Sequence, residues 1–244
     1  MNCTMTYPKG IIDVHAHILP GVDDGARNMR ESVKMLLLAA SQGVVGVIAT
    51  PHYSRRKVYH GLDQLAEELQ NRIRKFYPDF FIRLGQETYY HEELTARLQN
   101  GAGYTMAGSR YVLVEFDPSI SYDTLFQGIR RLAGVGYLPI LAHMERYGCL
   151  RQKGADKLLS CGCSLQMNYT SLTGNWLNPE VRWCRSQVEA GKIHLLGTDM
   201  HRLDCRPPEL SEARKWLENH ISPEEVERIT CRNPVHILKK EKMS

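Results

Sequence analysis

His15 and His17 stand two residues apart at the end of the apolar run Ile11-Ile12-Asp13-Val14, and adjacent carboxylates, Asp23 and Asp24, follow shortly after. In an extended strand, residues i and i+2 share a face, so both imidazoles aim at one place. A single histidine in such a run is ordinarily a hydrogen-bonded core residue. Two buried side by side are costly unless something satisfies both, and a divalent metal does so.

The pattern recurs along the chain. Other apolar runs lead into Thr50-Pro51-His52, into Gly85-Gln86-Glu87, and into Glu115, His143 and Asp199, with His201 just beyond. Together His15, His17, Asp24, His52, Glu87, Glu115, His143, Asp199 and His201 make nine imidazoles and carboxylates in one register of successive units. Taken singly, a buried glutamate is an ion-pair partner and a strand-end histidine a helix cap. Gathered at one rim without a cation they would repel one another or stay undersolvated. Nine ligands exceed the need of one metal and suit two or three sharing a bridging carboxylate. Nitrogen and oxygen donors without thiolate favour Mn²⁺, Zn²⁺ or Fe²⁺ over Mg²⁺ or Ca²⁺. Such clusters generate hydroxide near neutral pH and clamp phosphoryl or carbonyl oxygens, which is hydrolytic chemistry.

The elements that must position these groups alternate. Short apolar runs at 11–17, 44–50, 80–86, 111–116, 138–143, 163–168 and 194–199 are separated by amphipathic stretches with helical spacing. "MRESVKMLLLAASQG" ends on Gly43 as a C-terminal cap, and "NPEVRWCRSQVEAG" begins with Asn178 as cap and Pro179 in the first turn. Strands alternating with helices predict a parallel sheet, and continuous apolar strands predict burial on both faces. Ligands at successive strand ends fit a closed barrel of seven βα units better than an open doubly wound sheet, because functional groups of βα barrels gather at the C-terminal rim. Only the run ending at Asn168 offers no strong ligand.

The 244 residues suit a single domain spanning 1–244, with a short charged tail at 239–244, and a chain of this length buries about 70–75% of its unfolded surface. A net charge of +4 without a long basic stripe argues against nucleic-acid binding. No stretch approaches a membrane span and the N-terminus lacks a signal-peptide core, so the expectation is a cytoplasmic protein without membrane insertion. Seven scattered cysteines, an odd number, fit reduced thiols. None has an arginine six positions on, so the thiolate loop of cysteine-based phosphatases is missing, as is a Gly-x4-Gly-Lys-Ser/Thr loop, and "HEELT" lacks the second histidine of a zinc-protease helix. Arg55-Arg56-Lys57 follows His52 and reads either as a solvated loop or as an attractor for an acidic substrate.

"DVHAHILPGVDDG", "ATPHY", "GQE", "LVEF", "LAHMERY", "SLTG", "GTDMHR" and "RPPEL" together resemble the PHP superfamily, over nearly the whole chain. Within it they are most similar to the manganese-dependent protein-tyrosine phosphatases of bacterial capsule and exopolysaccharide clusters. The resemblance implies a distorted (β/α)7 barrel, PHP fold, holding three divalent metals, Mn²⁺ ahead of Fe²⁺ or Zn²⁺. Carried over by motif, His15, His17, Glu87 and Asp199 hold one metal. Glu87, Glu115 and His143 hold a second, and Asp24, His52 and His201 a third, with Asp23 a helper or solvated neighbour. The resemblance also implies that Arg146 and Arg206 bind the substrate phosphate, a task suited to a permanently charged planar fork; otherwise each is a surface salt bridge. The implied substrate is a phosphotyrosine-bearing protein, an autophosphorylated tyrosine kinase of polysaccharide synthesis. A histidinol-phosphate-type phosphatase and a non-catalytic metal-binding module are the alternatives. The complete ligand set with Arg146 speaks against the module, and the "HILPGVDDG" loop and short length against the small-molecule enzyme. Met144 and Tyr169 depart from the usual subfamily residues, and Tyr169 is expected to alter the pocket wall.

Overall fold

The computed structural model describes residues 7–52 and 61–243. The predicted Arg55-Arg56-Lys57 patch lies outside the described residues. Strand β1 (Ile11–Ala16) leads to helix α1 (Met29–Ser41), which Asn28 caps by accepting from the Glu31 amide. Gly43, at φ 95°, ends that helix and donates its N–H to the Ala40 carbonyl, as the cap reading requires. There follow β2 (Val44–Ala49), α2 (Leu62–Ile73), β3 (Phe81–Leu84), β4 (Glu87–Tyr89) and α3 (Leu94–Gln99). Next come β5 (Tyr111–Glu115), α4 (Tyr122–Gly134), β6 (Leu138–Leu141), α5 (Gly148–Lys153), α6 (Asp156–Ser160) and β7 (Ser164–Asn168). Helix α7 (Pro179–Glu189), capped by Asn178, precedes β8 (Leu195–Gly197). Helices α8 (Ser211–His220), α9 (Pro223–Glu227) and α10 (Asn233–Lys239) complete the chain.

The run read from sequence as one strand over 80–86 holds β3, which pairs with β2; a separate short strand, β4, begins just past it at Glu87 and pairs with β5 instead. The change of partner falls just after Gly85, where an added Cβ would sit 2.7 Å from the Met106 sulfur and 3.0 Å from Ile48, so a larger residue would have to displace those side chains. Every pairing is parallel, giving sheets ordered β1-β2-β3 and β4-β5-β6-β7-β8. Single parallel bridges join them, Ala16 to Met200 and His52 to Glu87.

Strands are buried on both faces, as continuous apolar runs demand. In β5, Tyr111 and Leu113 enter one apolar cluster and Val112 and Val114 another. The first collects Ile12, Val14, Ile48, Ile140 and Leu195, so both sheets share it. The second lies under the helices and includes Leu36, Leu69, Ile129, Val188 and Leu217.

Strand β1 contains an irregularity that matters for the site. Asp13 pairs with Val47 and Ala16 with Ala49, so three steps on β1 match two on β2. That one extra residue is a β-bulge, and a bulge switches the face on which later side chains emerge. Ile12 and Val14 therefore face the shared apolar cluster, while His15 and His17, of opposite parity, still reach the polar centre.

Candidate metal centre

All nine predicted ligands meet at the carboxyl ends of the strands, and the described residues form three overlapping groups whose ligand atoms lie within 4.8 Å of one another. The most buried group is His15, His17, Glu87 and Asp199. Its two Nε2 atoms stand 3.3 Å apart, each 3.2 Å from Glu87 Oε2 and 3.5 Å from Asp199 Oδ1. The second is His52, Glu87 and Glu115. His143, expected with these two carboxylates, lies beside them with Nε2 2.7 Å from Glu87 Oε1 and 3.5 Å from Glu115 Oε2. The third joins His17 to the predicted trio Asp24, His52 and His201. Asp24, largely exposed, is 3.6 Å from the Nε2 atoms of both His52 and His201.

The far sides of the rings are held as metal-binding imidazoles usually are. His15 Nδ1 is 3.1 Å from Gln166 Oε1, His17 Nδ1 2.7 Å from Asp23 Oδ2, and His201 Nδ1 2.9 Å from the Asp199 carbonyl. A proton on each Nδ1 leaves the Nε2 lone pair turned toward the centre. Asp23 is thus a helper and not a solvated residue, for it also accepts from the amides of His52 and Gly25. Strand β7, which gave no ligand in the sequence, supplies the supports. Gln166 Oε1 accepts from the His143 amide and its Nε2 donates to Asn168, whose own amide donates to Asp199 Oδ2. Such supports carry no signal in sequence except their place at the end of an apolar strand.

The electrostatics ask for positive charge. Burial alone would lower the His17 pKa, but hydrogen bonds to Asp23 and Glu87 and their charges lift it to about 10. Burial likewise opposes, and bonds to Glu115 and Glu87 outweigh it, in bringing His143 to about 9. Against burial, His17 draws Asp23 down to about 2, and neighbouring histidines hold Glu87 well below the usual carboxylate range. His201 moves the other way, to about 4, through burial and the nearby His17 charge. Carboxylates that favour cationic imidazoles so strongly favour a divalent ion in the same place, with the imidazoles neutral. Among the described residues, the buried Nδ1 of His143 has no hydrogen-bond partner. By donor type and convergence, the residues fit divalent metal.

Arg146 and Arg206 reach the edge of this cluster. Both donate to Asp199 Oδ2, Arg206 at 2.9 Å, and Arg206 Nη1 lies 3.2 Å from His201 Nδ1. Both are partly exposed, so they sit between the buried carboxylate and solvent. His143, Asp199 and Arg206 all adopt positive φ (33°, 52° and 63°), a strained backbone of the kind that collects at functional sites. The two departures do not line this centre. Met144 and Tyr169 are fully buried in the apolar cluster under the helices, so the expectation of an altered pocket wall is corrected: a 3-10 turn, Tyr169–Leu172, carries Tyr169 inward. A cavity of about 600 Å³ lined by Ile11, Val45, Leu217 and Cys231 contains none of the predicted site residues.

Residues 11–239 match the family described as capsular polysaccharide synthesis, CpsB/CapC. YwqE of Bacillus subtilis (strain 168), named a tyrosine-protein phosphatase, is 30% identical over 223 residues, covering 88% of this chain and 86% of that protein. CpsB of Streptococcus pneumoniae, named likewise, is 27% identical over 238 residues, covering 93% of this chain and 98% of that one. A solved chain described under crystal structures of YwqE from Bacillus subtilis and CpsB from Streptococcus pneumoniae, "unique metal-dependent tyrosine phosphatases", matches with a TM-score of 0.84 at 28% identity over 96% of both chains. At 12% identity, a phosphotriesterase homology protein of Escherichia coli shares the fold alone, with a TM-score of 0.61 over 94% of this chain and 98% of that one. The match over residues 11–239 covers nearly the whole sequence, and this chain belongs to the CpsB/CapC family of capsular polysaccharide synthesis.

Proposed function

We propose that this chain is a metal-dependent phosphomonoester hydrolase, a protein-tyrosine phosphatase acting on an autophosphorylated bacterial tyrosine kinase of capsular or exopolysaccharide synthesis. The observation that carries the reading is the double role of Asp199: Oδ1 faces the imidazole cluster while Oδ2 takes Arg146 and Arg206. A phosphate at that junction meets the centre on one side and two planar cations on the other. We assign three Mn²⁺ ions, the first to His15, His17, Glu87 and Asp199. The second goes to Glu87, Glu115 and His143, with His52 alongside, and the third to Asp24, His52 and His201. The scaffold is read as a single-domain, distorted (β/α)7 barrel, supported by the bridges between the two sheets and the apolar cluster they share.

Divalent ions there supply a water of lowered pKa and Lewis acidity for the phosphoryl oxygens. The chain's own residues do the rest. Arg146 and Arg206 exchange Asp199 for the equatorial oxygens of the phosphate and neutralise them as charge rearranges. Gln166, Asn168 and Asp23 keep the ligating side chains in register. The leaving phenol ionises near pH 10, so its departure demands less protonation than that of an alkyl alcohol. Among the described residues no helix is long and apolar enough to cross a membrane. The six described cysteines are free, which supports a reducing, cytoplasmic setting.

The test is assay of purified protein, stripped of metal and reloaded with Mn²⁺, on a phosphotyrosyl peptide, a phosphoseryl peptide and histidinol phosphate. Metal-dependent hydrolysis of the phosphotyrosyl peptide in preference to the other two is expected. Faster hydrolysis of histidinol phosphate, or none of any substrate by metal-loaded protein, overturns the reading.

A further inference from the structure

Beyond Glu87, strand β4 continues outward to Tyr89, and the packing of its neighbours fixes where that ring stands. Tyr90 stacks on Phe116 with ring centroids 4.7 Å apart, and Phe116 is buried in the cluster under the helices. Tyr90 and Phe116 therefore face away from the centre, and strand alternation turns Glu87, Tyr89 and Glu115 toward it. The register sets Tyr89 directly across from Glu115, so it stands at the mouth above two candidate ligands. Two strand steps separate it from Glu87, about 6–7 Å. Tyr89 is 48% exposed, and among the described residues its hydroxyl has no hydrogen-bond partner. Tyr147 and Tyr169, which adjoin the centre in sequence, are buried in the apolar cluster under the helices.

We propose that Tyr89 is a specificity-determining residue: its exposed ring, at the mouth beside Glu115, packs on the aromatic ring of a phosphoaryl substrate whose phosphate lies at Arg146 and Arg206. The proposal rests on the phosphatase reading. A ring attached to that phosphate extends outward past the strand ends, the side on which the Tyr89 ring is exposed. Aromatic pairs gain from offset or edge-to-face contact beyond the area they bury. A phosphoserine side chain is shorter and brings no ring, so the contact separates aryl from alkyl phosphates.

The experiment uses Mn²⁺-loaded protein and two non-hydrolysable probes, phenylphosphonate and methylphosphonate, measured by calorimetric titration. Their affinity ratio reports the ring contact alone. In Tyr89→Ala this ratio should fall about tenfold, the scale of one aromatic contact, whereas Tyr89→Phe should keep it. KM for a phosphotyrosyl peptide should rise in parallel in Tyr89→Ala, with metal content unchanged. An equal ratio in wild type and Tyr89→Ala, or a wild type with no preference for the phenyl probe, overturns the proposal. Failure of the phosphatase reading looks different: phenylphosphonate binds in a Tyr89-dependent way, yet no phosphotyrosyl peptide is hydrolysed.

Discussion

Asp199 illustrates how single residues are shared here. Oδ1 lies 3.5 Å from the Nε2 atoms of His15 and His17, and Oδ2 accepts from Asn168 and both arginines. With its carboxylate already engaged, a phosphate gains Arg146 only by replacing part of that contact, which suits a donor whose hold strengthens in the transition state. Arg146→Ala and Arg146→Lys should both retain full metal and lose most of kcat/KM, by about 2.7–4 kcal/mol or roughly 10²–10³-fold. Lysine rescues little, since one ammonium cannot reproduce the planar fork. Near-normal turnover in metal-loaded Arg146→Ala would put the phosphate elsewhere. Gln166 acts one shell further out, accepting from His15 Nδ1 and the His143 amide with one oxygen. Gln166→Leu removes both bonds at similar volume, and its metal affinity should drop about 10–100-fold. A titration indistinguishable from wild type would show that packing alone orients these histidines.

At the scale of elements, the bulge in β1 and two close glycines bring the strand ends together. An added Cβ at Gly197 would lie 2.6 Å from the His15 Cβ and 3.0 Å from Gln166 Nε2, and one at Gly25 would lie 2.1 Å from the His17 carbonyl oxygen. Both glycines press their backbone against the His-x-His segment, so the strand and the loop after it fit only without side chains there. Gly197→Ala must shift β8 away from β1. It should cost about 1–3 kcal/mol of stability, as overpacking does, and reduce metal content as well. Thermal unfolding and metal analysis of the variant check both, and unchanged values in each would mean that the strands part without cost.

Across the whole molecule, the centre gathers side chains from both sheets, so a bound cation ties the ends of the fold together. Glu87 pairs through the His52 bridge and Asp199 through hydrogen bonding to the His15 carbonyl. Without an ion, protons on His17 and His143 offset the buried carboxylates, as their raised pKa values show. Ions that bind only the folded state add stability by mass action, about 2.7 kcal/mol per site at a hundredfold excess over Kd. Chelation should therefore lower Tm by several degrees, and Mn²⁺ should restore it. A Tm that stays constant while metal analysis shows complete removal would separate the centre from folding.

The sequence by itself determined which imidazoles and carboxylates stand at the strand ends, and the strand–helix rhythm that carries them. Those signals are local: period-two spacing in His15-x-His17, apolar runs ending in a carboxylate or imidazole, and caps such as Gly43 and Asn178. Tertiary structure alone decided who stands behind the ligands. Gln166 supports His15 across 151 positions, and nothing near either residue announces it. Asp23 and Asp24 look alike in sequence; the approach of His17 and His52 makes Asp23 a buried acceptor and leaves Asp24 exposed. Tyr169 follows Asn168 at a strand end but turns into the core, whereas Tyr89 comes out at the mouth. The change of strand partner just after Gly85 was hidden for the same reason: local spacing reports which faces a segment has, and only the packed neighbours decide what each face meets.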